Sequence, residues 1–254
     1  MLAMAFLSFN GLRKSFPHSG QENRVLDGVT LDVREGEFVT LFGPNGCGKS
    51  TLLYILAGLQ EADAGSAQIA GKKPGEAKAG FVFQNFHESL FPYKTILENV
   101  EFGPLAEGVE PREARETAGK WLEKVGLGQH AQKFPYELSG GMRQLAALAR
   151  AWAFNPDVLI MDEPFSALDY STRLNMEEEL LKIWTANRKT TLFVSHDVDE
   201  AVFLADRVAV LSPRPCKVRK VINVPLARPR TREMRKRKEF FSLRNKVLDT
   251  FEVS

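Results

Sequence analysis

The sequence predicts an α/β fold: a mostly parallel sheet covered on both faces by helices, with a helical lobe inserted in mid-chain. Three observations lead there. Short apolar runs of strand length alternate with helix patterns. One run, Glu37–Phe42, leads straight into a glycine-rich turn, Gly43-Pro-Asn-Gly-Cys-Gly-Lys-Ser-Thr, and then into an apolar helix pattern. From about residue 86 to 154, helix patterns stand alone. A chain of 254 residues, 44% hydrophobic and 26% charged, can bury the core such a domain needs.

The elements follow in order. Met1–Asn10 is apolar but lacks a basic segment and a small-residue cleavage site, so it reads as a strand. Glu37–Phe42 is a buried strand, Leu52–Leu59 a helix and Ala79–Gln84 another strand. Pro111 marks the first turn of a helix in the lobe. Strands return at Asp157–Met161, Thr190–Ser195 and Arg207–Leu211, separated by helices at Thr172–Asn187 and Val198–Ala205. A last helix spans 233–251 after a Pro/Arg-rich connection. The expected division is a core of 1–85 with 155–230, a lobe of 86–154 and a terminal helix within 231–254.

No apolar run approaches the ~20 residues of a membrane-spanning helix. Cys47 and Cys216 are the only cysteines, too few for a disulfide framework and consistent with a reducing compartment. The net charge of +2 is uneven: residues 214–238 hold 11 Lys/Arg and one Glu. Such a tract can meet nucleic acid or anionic lipid, but a solvated face is the plainer expectation.

Three motifs carry chemistry. In residues 43–50 the glycines let the backbone curl so that N–H groups point at phosphate oxygens, and the following helix adds its positive end. Lys49 would reach the β- and γ-phosphates and Ser50 would ligate Mg²⁺. Cys47, beside Lys49 and a helix N-terminus, sits where a thiolate is favoured. The second motif is Val158-Leu-Ile-Met-Asp-Glu-Pro, a buried strand ending in two acids. Asp162 would hold Mg²⁺ through water, and Glu163 can polarise an attacking water. The third is Leu138-Ser-Gly-Gly-Met-Arg-Gln, a capped helix start in which Ser139 is the N-cap and Gly140 and Gly141 permit close approach of phosphate. Chance yields that pattern in on the order of a few chains in ten thousand.

These motifs, in this order, resemble the ATP-binding-cassette ATPases over about residues 6–224. The resemblance implies a P-loop NTPase fold with antiparallel N-terminal strands and an inserted helical signature subdomain. It implies ATP and Mg²⁺ as ligands. Gly43, Pro44, Asn45, Gly46, Cys47, Gly48, Lys49, Ser50 and Thr51 would cradle phosphate, and Phe16 would stack on adenine. Gln84 matches a residue that contacts Mg²⁺ and the attacking water, Asp169 closes the D-loop and His196 matches the switch histidine. In the family two cassettes pack head to tail, so that each ATP lies between one phosphate loop and the other chain's Ser139–Gly141. The chain would therefore work as a homodimer, peripherally on the cytoplasmic side of a membrane, with integral permease subunits. The segments Phe91-Pro-Tyr-Lys-Thr-Ile-Leu-Glu-Asn-Val and Leu-Ser-Pro-Arg-Pro are similar to nitrate, sulfonate and taurine importers, which adds an extracytoplasmic substrate-binding protein. Phe91, Pro92 and Tyr93 would receive the permease, with Phe86 and Leu90 beside them and Ile96 in the core.

Other readings explain less. A P-loop kinase or GTPase accounts for Lys49 and Asp162 but not for residues 138–144, Gln84 or His196. A non-hydrolysing module leaves Glu163 without a purpose. A cassette acting on nucleic acid draws on the basic tract, yet no coiled coil, zinc module or second cassette accompanies it, so nucleic acid is not an expected partner.

Overall fold

The computed structural model describes residues 5–18, 21–84 and 89–252. Phe86 lies outside them. Two sheets are present. The first has the order β2-β1-β4, all antiparallel, from β1 (Leu7–His18), β2 (Gln21–Val33) and β4 (Ala64–Ile69). The second has the order β5-β6-β7-β3-β8-β9. It comprises β3 (Phe38–Phe42), β5 (Ala79–Val82), β6 (Val158–Asp162), β7 (Thr190–Ser195), β8 (Arg207–Leu211) and β9 (Val218–Asn223). Its first five strands are parallel and β9 joins antiparallel.

β3, β6 and β7 are buried at every position, as central parallel strands covered on both faces must be. Two apolar clusters fill the interior. One, around Leu7, Leu26, Leu53 and Ile160, joins the antiparallel sheet to one face of the parallel sheet across α1 (Lys49–Leu56). The other, around Phe38, Trp184 and Phe203, lies against α5 (Tyr170–Asn187) and α6 (Val198–Leu204). Between β5 and β6 the chain forms α2 (Ile96–Ala106), α3 (Pro111–Lys124) and α4 (Gly140–Ala153). Ile96 is fully buried here, and Pro111 opens α3 with Glu110 as its N-cap. α7 (Lys238–Glu252) runs back over the core, where Phe240 and Val247 are buried and Phe251 meets Phe42 at 5.4 Å between ring centroids.

The basic tract is not simply a solvated face. Arg230 is 6% exposed and its guanidinium donates to the carbonyls of Phe203 (2.9 Å), Ala205 (2.8 Å) and Leu226 (3.1 Å). Helix ends leave carbonyls without partners, and Arg230 satisfies those at the end of α6. Arg228 pairs with Asp206 at 2.8 Å and lies 4.4 Å from the Trp184 ring. Arg235 pairs with the buried Glu177. Lys217, Lys236 and Lys238 remain exposed.

Candidate active site

The end of β3 and the start of α1 set the phosphate loop. Gly48 has φ 124, and a Cβ there would stand 2.8 Å from Val25 Cγ1, so only glycine fits. No side chain caps α1, which leaves its first-turn amides facing the cleft above the loop. That cleft has a volume of about 370 Å³ and is lined by Asn45, Gly46, Gly48, Lys49, Ser50, Thr51, Gln84, Glu163 and Arg214. The polar lining, the bare helix start and the Gly48 cradle fit a polyphosphate.

Lys49 is 5% exposed and donates to the carbonyls of Gly43 (2.9 Å) and Pro44 (3.1 Å). Its Nζ also lies 3.5 Å from Glu163 Oε1. Asp162 is buried at the end of β6, and the Ser50 hydroxyl donates to it. Burial pushes the Asp162 carboxyl up, the Ser50 bond opposes this, Glu163 adds to it and Lys49 opposes it. A carboxylate of that kind gains from a cation held between it and a hydroxyl, so the donor set suits Mg²⁺ bound partly through water and phosphate.

Glu163 has φ 44, the left-handed region that costs a non-glycine residue roughly 1–3 kcal/mol. Its N–H donates to Val194 O at 3.1 Å, and the Ser166 hydroxyl donates to its carbonyl at 2.9 Å. These bonds hold the turn that aims the carboxylate back over the loop. Glu163 Oε2 then lies 2.8 Å from His196 Nδ1, at the end of β7. Gln84 Nε2 donates to Ser166 Oγ at 3.4 Å, so Gln84, Ser166 and Glu163 form one chain of contacts. One carboxylate thus meets a cation on one oxygen and an imidazole on the other, above the loop.

The other predicted residues lie elsewhere. Pro44 and Cys47 line an adjoining cavity with Pro213, Arg214 and Phe251. Phe16 is half-buried on β1, with Lys14 Nζ 5.5 Å from its ring centre. Ser139 caps α4, accepting from Met142 N at 3.4 Å. A Cβ on Gly141 would stand 3.0 Å from Thr172 Cγ2, so the glycine lets α4 approach α5 closely. Asp169 caps α5, accepting from Thr172 N at 3.1 Å. None of Phe16, Ser139, Gly140, Gly141 or Asp169 lines the cleft. Arg214, which does, was read from sequence as part of a subfamily motif and of the basic tract, not as a site residue. Its Nη2 donates to Gly46 O at 2.8 Å.

A family model described as ABC transporter matches residues 26–166. An uncharacterised ABC transporter ATP-binding protein of Methanocaldococcus jannaschii is 44% identical over 246 residues, covering 96% of this chain and 90% of that protein. The aliphatic sulfonates import ATP-binding protein SsuB of Bacillus cereus is 40% identical, covering 97% and 96%. The bicarbonate transport ATP-binding protein CmpD of Synechocystis sp. is 41% identical, covering 96% and 88%. Among solved structures, the ATP-binding cassette MJ0796, described as a dimer in a post-hydrolysis state bound to ADP and Pi, superimposes with a TM-score of 0.74 at 31% identity. It covers 87% of this chain and 100% of its own. With a glycine-rich loop beside a strained, histidine-paired glutamate and this degree of similarity, the chain belongs to the ABC transporter family, as an ATP-binding, ATP-hydrolysing subunit.

Proposed function

We propose that the chain hydrolyses ATP as a head-to-tail homodimer and thereby drives import of a small anion through a membrane permease. The observation that carries this is the separation of two phosphate-binding features. The cleft holds Lys49 and Glu163, with His196 paired to Glu163, whereas Ser139–Gly141 begin a helix elsewhere on the chain. A helix start with bare glycines and no phosphate site of its own finds one across a dimer. The dimeric MJ0796 cassette supports that arrangement.

In the closed dimer the loop amides and Lys49 hold the triphosphate, and Phe16 offers its ring to adenine. The phosphate draws Lys49 away from Glu163, leaving that carboxylate free to accept a proton from water. His196, at 2.8 Å, orients Glu163 and can contact the γ-phosphate. Ser50, Gln84 and, through water, Asp162 would hold magnesium, which would neutralise charge on the phosphates. Asp169 fixes the start of α5 beside the dimer seam. Loss of the γ-phosphate removes the charge that joins the chains, and the dimer opens.

The lobe spanning residues 86–154 passes this motion to the membrane partner. Asn99 is fully buried and brackets the Phe91–Thr95 loop, accepting from Phe91 N at 2.7 Å and donating to the carbonyls of Phe91, Lys94 and Thr95. Tyr93 is 72% exposed, and Phe91 packs on Phe102 and Arg150. Beside them lies a cleft of about 240 Å³ lined by Phe81, Phe83, Phe102 and Arg150 among others. A rigid aromatic loop at the rim of an apolar cleft suits a short cytoplasmic helix of the permease. No helix among the described residues is long and apolar enough to cross a membrane. Docked on the permease through this loop, the subunit would attach peripherally, on the cytoplasmic side. The relatives named for sulfonates and bicarbonate make a small anion, delivered by an extracytoplasmic binding protein, the best cargo class.

The test is uptake of an alkanesulfonate or bicarbonate into proteoliposomes carrying the permease and this chain. Phe91→Ala with Tyr93→Ala should keep the ATPase of the isolated subunit, lose co-purification with the permease and abolish uptake. Uptake that persists in the double variant would refute the docking site. Uptake of neither anion by the wild type would refute the cargo class.

A further inference from the structure

The two cysteines lie far apart in the sequence, yet the fold brings them together. Cys47 is in the phosphate loop between two glycines in the left-handed region, Gly46 (φ 72) and Gly48 (φ 124). Cys216 lies between β8 and β9, where its N–H donates to Val25 O at 2.8 Å and its carbonyl accepts from Asp27 N at 3.1 Å. Gly48 packs on the same stretch of β2, against Val25 and Leu26. This strand is therefore a common wall that holds the loop and Cys216 side by side. Both cysteines are free, both are buried in one apolar cluster, and each is held against the Val25–Leu26 stretch of β2, Cys216 directly and Cys47 through Gly48.

The two sulfurs are not equivalent. Its neighbour Cys216 draws the Cys47 thiol down to about 7, against the effect of burial and helped by Lys49. Cys216 is pushed up by Cys47 and by burial. Cys47, beside Lys49 and the start of α1 and lining a cavity that Cys216 does not reach, is the nucleophile of the pair, and Cys216 is the partner that resolves it. Cys47 also lines the cavity of about 430 Å³ beside the loop, which gives a small oxidant a route to it.

We propose that Cys47 and Cys216 are a redox modification site, closing to an intrachain disulfide that reversibly switches off nucleotide binding. The oxidant is a hydroperoxide. The Cys47 thiolate attacks one peroxide oxygen, the O–O bond breaks, and the released hydroxide takes up a proton to leave as water. The Cys216 sulfur then attacks the Cys47 sulfenic acid, the S–O bond breaks, and hydroxide departs with the Cys216 proton as a second water. Two thiols and one hydrogen peroxide give one disulfide and two waters. An S–S bond of about 2.05 Å is far shorter than any contact between two free thiols. Its closure pulls Cys47 toward β2 and with it the Cys47 N–H, which donates to Pro44 O at 3.3 Å. The amides that cradle phosphate lose their common aim.

The experiment titrates the full chain with hydrogen peroxide, then follows ATPase activity and maps peptides by mass spectrometry without reduction. Wild type should lose activity in step with a Cys47–Cys216 crosslinked peptide, whose mass falls by two hydrogen atoms, and dithiothreitol should restore activity. ATP bound beforehand should slow the reaction. Cys216→Ser and Cys216→Ala should keep basal ATPase. Under peroxide they should form no crosslink and lose activity in a way dithiothreitol does not restore, because an unresolved sulfenic acid at Cys47 proceeds to sulfinic acid. The proposal is overturned if wild type is inactivated without the crosslink, if the crosslinked chain still turns over, or if the Cys216 variants are inactivated and rescued as wild type is.

Discussion

Replacing Glu163 with Gln separates binding from hydrolysis more cleanly than any other single change. The amide keeps the size of the side chain and, through its oxygen or its N–H, the contact with His196 now at 2.8 Å. It cannot accept a proton from water. Loss of a general base costs roughly 10²–10⁴ in rate, or about 3–5 kcal/mol in the barrier. The charge removed also faces Lys49 at 3.5 Å, in surroundings where the two side chains are 5% and 11% exposed. Without Glu163 the ammonium keeps only the Gly43 and Pro44 carbonyls, so the nucleotide-free variant should melt at a lower temperature. Phosphate no longer competes with a carboxylate for Lys49, so ATP should bind at least as tightly as to the wild type. Three assays on one preparation decide the matter: steady-state phosphate release, equilibrium binding of ATP, and melting with and without MgATP. Turnover within tenfold of the wild type, or loss of ATP binding, would refute the role given to Glu163.

Three further predictions follow from the geometry. Arg214→Gln removes the bond to Gly46 O and a positive charge from the cleft; being exposed, it should raise KM for ATP by only ~3–10-fold and leave kcat nearly unchanged. Glu200 is buried with its carboxyl pushed up to about 8, chiefly by burial and against a hydrogen bond from Ser195, so the folded chain holds a proton that the unfolded chain releases above about 4.5. Stability should therefore fall as pH rises between those values, and Glu200→Gln should flatten the slope in urea titrations from about pH 5 to about pH 9; an unchanged slope would contradict it. Arg230→Met should lower unfolding stability by roughly 3 kcal/mol or more, because the carbonyls at the end of α6 lose a charged donor; a loss under about 1 kcal/mol would show that water serves them equally well.

The parallel strands and the contiguous motifs were legible because their signals are local. β7 and β8 match their expected spans, and β3, β5 and β6 differ only at their ends, since an apolar run bounded by turn residues marks a doubly covered strand. The antiparallel sheet was harder. β1 changes register between Phe9 and Leu12, where a bulge with Gly11 breaks the two-residue alternation, so its strand pattern faded after Asn10. β9 hid in the basic tract because Arg219 and Lys220 stand in the middle of Val218–Asn223 and masked Val221 and Ile222. Arg228 and Arg230 read as surface charge because nothing in sequence tells which carbonyls a distant helix leaves open. In the site, Lys49, Asp162 and Glu163 follow from runs of neighbouring residues. Arg214 and Cys216 owe their places to the reversal between β8 and β9 and to their closeness to the phosphate loop, which no local pattern encodes.

The claim that two chains share each ATP is open to a direct measurement. Lys49→Ala removes the ammonium from the phosphate loop. Ser139→Asp keeps an N-cap acceptor for Met142 N but sets a carboxylate against the other chain's phosphate. Each variant alone should be nearly inactive. In a mixed dimer, one site carries both lesions and the other carries neither. Random mixing in equal amounts should therefore restore roughly a quarter of wild-type ATPase, since half the dimers are mixed and each has one intact site. Activity of that order on mixing is the predicted result. A mixture no more active than its components, with both variants folded and each competent to exchange partners, would contradict the account.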